Sequence, residues 1–159
     1  MRCWRICRVK YKTRALDGNG AKERPGRWNS FGVPVAYCSS MPSLACLEYL
    51  TTVDLEDMPD DLGIVGIDLP DHAVARVGVH ELPPDWRAVP APESTRTFGD
   101  DRLARGRSLA IAVPSVVLPT EDPTIEWNVV VNPTHADFAK IKTSEPNKID
   151  LSRFFSGEN

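Results

Sequence analysis

The chain has 159 residues, and its 19 lysines and arginines against 22 aspartates and glutamates leave a net charge of −3. That length suits a single domain over 1–159 with one core, and the near balance of charge supplies no field for holding a polyanion, which excludes direct nucleic-acid binding as an expectation. No apolar run approaches the ~20 residues that cross a bilayer, and the charged start MRCWRICRVK lacks a signal-peptide stretch, so no membrane association and a cytoplasmic location are expected.

Taken in chain order, CWRICRV alternates well enough for a strand, and DGNG at 17–20 marks a turn or loop. VPVAYC reads as a second strand. Ser39, Ser40 and Pro42 then carry an N-cap and first-turn signature for a short, nearly all-apolar helix running to about Thr52, because serine hydroxyls satisfy orphan amides and proline has none to satisfy. LEDMPDDLG is an acidic loop, followed by two further strands in GIVGIDLP and AVARVGV. From Leu82 to Gly99 the density of proline predicts an irregular surface connection, long enough to serve as a lid, with a second helix near 100–106. SLAIAVPSVVLP and EWNVVVNP resume the strand pattern on either side of the turn-rich TEDPT. Strands with few short helices predict an α+β fold with mainly antiparallel pairing. No glycine-rich phosphate loop is present, so a bound nucleotide would have to be held by side chains.

Several polar residues stand where packing gives them no purpose. Glu48 lies inside SLACLEYL, sharing a helical stripe with Leu44, Leu47 and Thr51. A carboxylate shielded from water needs a cation or several donors against it, either as a core Glu tied to an Arg or Tyr or as a functional group. Arg27, in RPGRWNSFG, offers a fork that takes a carboxylate or phosphate in bidentate fashion. Tyr37 ends its strand with a polar tip on an apolar body. Ser115 follows Pro114 between apolar strands, and without a GxSxG elbow it does not read as a hydrolase nucleophile. Asn128 and Asn132 have the same parity on EWNVVVN and share one strand face. Cys3, Cys7, Cys38 and Cys46 form no CxxC pair and the histidines are scattered, which predicts free thiols and no metal site.

GRWNSFGVPVAYCSSMPSLACLEYL, the later AVPSVVLP and EWNVVVNPTHADF, the opening WRICRVKY and the closing IDLSRFF together resemble the RES domain over essentially the whole chain. The family's defining Arg, Glu and Ser fall on Arg27, Glu48 and Ser115. The resemblance implies an ADP-ribosyltransferase-like fold and a toxin of a bacterial toxin–antitoxin pair whose antitoxin carries an Xre-like helix-turn-helix. It also implies an enzyme that degrades NAD by hydrolysis or phosphorolysis, with NAD as substrate and no separate cofactor. On that expectation Glu48, Arg27 and Ser115 serve catalysis, and Arg27, Tyr37, Asn128 and Asn132 bind substrate. One departure stands out: GDDR places Arg102 where many relatives have tryptophan. Transfer of ADP-ribose to a protein and a non-enzymatic protein-binding module are the competing readings. Homo-oligomer and toxin–antitoxin hetero-oligomer are both left open.

Overall fold

The computed structural model describes residues 1–104, 108–118, 122 and 125–154. Its framework is one eight-stranded sheet. β1 (Arg2–Arg8) runs antiparallel to β3 (Leu62–Asp68) over its full length, from Arg2 opposite Asp68 to Arg8 opposite Leu62. On the other side of β1 lies β2 (Ala36–Ser39), followed by β6 (Trp127–Val131), β5 (Ala110–Pro114) and β4 (Val74–Arg76). Two-residue strands, β7 (Lys142–Thr143) and β8 (Asn147–Lys148), finish the β3 edge. Among the described residues every pairing is antiparallel except β4 with β5. The connection between those two carries a helix, as a parallel return requires.

β5 and the Val129–Val131 part of β6 are apolar without interruption because both of their faces are covered. Ala110, Ala112, Val129 and Val131 join Cys3, Cys38, Val65 and Ile67 on one side; Ile111, Val113 and Val130 join Trp28, Val77, Leu82, Trp86 and Leu103 on the other. A third cluster seats α2 (Pro42–Leu50) through Ala45 against Ile6, Leu62 and Ile64. The four cysteines are free thiols, as expected.

The structure revises three expectations. The serines before α2 do not cap it: Met41 is the N-cap, Ser39 Oγ donates to Asn128 Oδ1 and Ser40 Oγ accepts from the Trp127 amide. Both hydroxyls therefore tie β2 to β6, where buried amides and amide side chains need them more than an exposed first turn does. The helix ends at Leu50, with Thr51 as its C-cap. The stretch expected to stay irregular to Gly99 turns helical at Glu93, forming α3 (Glu93–Ala104). Its mean composition is polar, and what holds it is one face: Thr95, Gly99 and Leu103 are buried. Gly99 is required there, since a Cβ would lie 2.0 Å from the Trp28 carbonyl oxygen. Residues 105 and 106 of the expected second helix, most of TEDPT, and Phe155 lie outside the described residues. A short helix, α1 (Asn19–Glu23), precedes the Arg27 segment.

Candidate active site

Three strand ends meet at one place. Register sets Ser39 of β2 opposite Asn128 of β6, and Asn128 opposite Val113 of β5, with Ser115 just past the end of β5. Since α2 follows β2 directly, its second turn brings Glu48 over the same ends. Ser115 Oγ donates to Glu48 Oε1 at 2.6 Å, and Asn128 Nδ2 donates to the same oxygen at 2.5 Å. The amide orientation of Asn128 is set in turn by the Ser39 hydroxyl on its Oδ1 (3.3 Å), and Ser115 Oγ is held by the Val117 amide (3.0 Å). Glu48 is half-buried at this position, not shielded all round, and Leu47 beside it is 39% exposed. Its carboxylate is satisfied by two neutral donors, and among the described residues no cation lies within ion-pair distance of it.

Glu48 lines a cleft of about 290 Å³ with Trp4, Arg5, Tyr37, Ser39 and Tyr49. The cleft exists because β1 and β2 are joined at a single pair, Trp4 with Ser39, and part beyond it. Arg5 spans the gap, its Nη1 donating to the Tyr37 carbonyl at 2.5 Å, while its Nε is buried without an acceptor among the described residues.

Arg27 enters from a loop that is bonded to Tyr37. The Tyr37 hydroxyl accepts from the Trp28 amide (2.9 Å) and donates to Asn29 Oδ1 (2.8 Å), which also accepts from the Gly26 amide (2.9 Å). Asn29 Nδ2 donates to the carbonyls of Ala21, Ser30 and Val33, so this fully buried side chain is the hub of the loop. Gly26 allows the close approach, because a Cβ there would sit 2.6 Å from the Tyr37 hydroxyl oxygen. α3 secures the other side: Trp28 packs edge-on against Phe98, and Asp100 accepts from the Ser30 amide. Burial pushes the Tyr37 phenol above its ordinary value, so its proton stays in place. Arg27 Nη1 then donates to the carbonyls of Trp86 (2.6 Å) and Ala88 (2.9 Å). Burial holds the guanidinium below the usual arginine value, against the opposing pull of Glu48, whose field reaches it across the site without a direct ion pair.

The structure thus brings Glu48, Ser115 and Asn128 into contact and sets Tyr37 and Arg27 on the same side of the molecule. Asn132 is not among them. It follows the end of β6, where its Oδ1 accepts from the Thr134 amide and hydroxyl and its Nδ2 reaches the Leu103 carbonyl; those bonds make it a turn residue, four positions from Asn128 and at the opposite end of the strand. The Tyr37 hydroxyl is likewise fully used by the loop, which leaves its ring, not its oxygen, to face a ligand. Sequence reasoning passed over Arg5, whose signal was a charge between the apolar Trp4 and Ile6, and Ser39, whose role depends on a strand register no local pattern carries. Arg102 replaces tryptophan by stacking over Phe98 (4.9 Å) and pairing with Glu81 (2.6 Å).

The chain is similar to known proteins along nearly its whole length. A family model described as the RES domain matches residues 2–152. Toxin Res of Photorhabdus laumondii is 34% identical over 137 residues, covering 86% of this chain and 85% of the relative. The Prs ADP-ribosylating toxin of Sphingobium is 35% identical over 150 residues (91% and 90%), and Toxin Res of Pseudomonas putida is 36% identical over 134 (82% and 87%). In fold, the chain is similar to one from the crystal structure of the M. tuberculosis MbcT–MbcA toxin–antitoxin complex, with a TM-score of 0.71 at 16% identity, covering 99% of this chain and 89% of that one. The architecture is the ADP-ribosyltransferase-like α+β fold, mainly antiparallel with few short helices. With a family model spanning nearly its whole length and relatives more than a third identical over at least four-fifths of it, this protein belongs to the RES domain family.

Proposed function

We propose that the protein is the toxin of a toxin–antitoxin pair and that it depletes cytoplasmic NAD by breaking the bond between nicotinamide and ribose. The observation that carries this reading is the Glu48 carboxylate, held at one oxygen by Ser115 and Asn128 with no described partner at the other, at the edge of an open cleft. Nicotinamide leaves a cationic ring as a neutral molecule, taking both electrons of the bond, so the enzyme's task is to stabilise positive charge developing on the ribose. A fixed carboxylate in a partly desolvated setting does this without reorganising. Ser115 and Asn128 hold Glu48 in position, and the Arg27 fork, aimed by its two carbonyl contacts, takes the pyrophosphate. Water or phosphate then captures the ribosyl cation.

The names of the Photorhabdus and Pseudomonas relatives favour the toxin assignment, and the MbcT–MbcA complex favours an antitoxin as partner, here one with an Xre-like helix-turn-helix. The Sphingobium relative is named as ADP-ribosylating, which supports a second reading in which a protein side chain is the acceptor. Mass spectrometry of products after incubation with NAD, with and without phosphate and with cell lysate, separates them. Free ADP-ribose or its 1''-phosphate is the expected outcome; ADP-ribose attached to a lysate protein establishes transfer, and intact NAD defeats both.

A further inference from the structure

A second arginine lies beside Arg27 and has no assigned role. Arg96 projects from the first turns of α3, and its Nη2 donates to the Ala91 carbonyl at 3.0 Å. Arg27 holds the carbonyls of Trp86 and Ala88, so the two guanidiniums grip the same backbone segment, 86–91, a few residues apart. Both are half-buried. Among the described residues neither has a carboxylate within ion-pair distance, and Arg96 Nε is buried with no acceptor. One turn further along the helix, Asp100 Oδ1 accepts from the Ser30 amide. Their charges repel: Arg96 adds to the lowering of the Arg27 value, and both act on the Tyr37 phenol.

Two partly desolvated forks of one sign, each fixed by backbone carbonyls and each with donors left over, are costly unless an anion joins them. Each planar fork matches a pair of phosphate oxygens, so two forks side by side fit a diphosphate better than a single phosphate. We infer that Arg96 together with Arg27 binds the diphosphate of the dinucleotide, Arg96 being a substrate-binding residue that no motif in the chain marks. The inference rests on the NAD-cleaving reading above. It also explains the lid-like segment: residues 86–91 are drawn across the two arginines and position them ahead of binding.

The test compares the parent chain with Arg96→Gln and Arg96→Lys by calorimetry, using ADP-ribose, which carries the diphosphate, and nicotinamide riboside, which does not. Arg96→Gln is expected to weaken ADP-ribose binding about 10- to 100-fold, the loss of a charge-assisted contact. Arg96→Lys should lose less, riboside affinity should hold, and in turnover the loss should fall on KM more than kcat. Equal ADP-ribose affinity in parent and Arg96→Gln overturns the assignment, as does an equal loss for the riboside, which would mark a general distortion. Should the glutamine variant fail to fold, the lysine variant is read in its place, and inorganic pyrophosphate must in any case compete with ADP-ribose on the parent. A parent that binds pyrophosphate and ADP-ribose but leaves NAD intact sinks the proposed activity and spares the anion site.

Discussion

Tyr37→Phe tests whether the phenol positions Arg27. The substitution keeps the ring in its place and removes only the oxygen that accepts from Trp28 and donates to Asn29. Trp28 is 2% exposed, so its amide would be left without a partner away from water; Asn29 Oδ1 would keep its bond from Gly26. One orphaned buried amide costs about 1–3 kcal/mol, and the second loss adds little. For a domain of this size each kcal/mol moves the melting temperature by about 2–4 °C, so a central value of about 2 kcal/mol predicts a fall of about 4–8 °C in thermal denaturation followed by circular dichroism. Because the folded state raises the phenol's value, the parent's advantage is fully present below the ordinary tyrosine value of 10.0 and is lost as pH rises through the higher folded one, so parent and variant should converge in strong alkali. Arg27 directly precedes the two anchored residues, so KM for NAD should rise as well. An unchanged melting temperature would refute the anchoring role, and a lower one with unchanged KM would separate the loop from the ligand.

Glu48→Gln keeps volume and removes charge; a folded variant with turnover of NAD down about 10²- to 10³-fold is expected, and parent-level turnover removes Glu48 from the chemistry. Gly99→Ala drives a methyl into the Trp28 carbonyl and should cost about 3 kcal/mol, read as a loss of thermal stability; a parent-like melting temperature contradicts the contact between α3 and the Arg27 loop. Arg102→Ala should cost less than about 1 kcal/mol, since both members of its pair with Glu81 are about one-third exposed. The Gly78 amide and Arg102 hold the Glu81 carboxyl below its ordinary value, so the stability it adds is present above that ordinary value and lost as pH falls through the depressed one; a parent–variant difference that stays constant down to acid pH would exclude the pair as its source.

What could be read from the chain follows from where its apolar groups lie. β1, β2, α2, β3, β5 and β6 are runs whose burial is written in their own composition. α3 is not, because Glu93–Ala104 is polar on average and owes its helix to Gly99 and Leu103 docking on Trp28, more than seventy positions earlier in the sequence. The two-residue strands β7 and β8 carry no signal of their own. In the site, Glu48 and Ser115 were visible as polar groups without a packing purpose, whereas Asn132 shared that appearance and serves a turn. Parity alone could not separate it from Asn128, since the difference lies in which strand end faces α2. Arg96 looked like any exposed arginine in a proline-rich stretch until the backbone of 86–91 was folded over it.

The lone rung between Trp4 and Ser39 also decides how the molecule comes apart. β1 is pinned to β3 by seven residue pairs and to β2 by one, so shear resistance is lopsided about it. Beyond that pair, the seam is crossed by the Arg5 bond to the Tyr37 carbonyl and by apolar packing such as that of α2 on Ile6 of β1. Fluctuations that part the sheet should run along the cleft before either half frays. A molecule lodged across the opening would act as a staple, and much of the stiffness of the occupied protein would come from its own cargo.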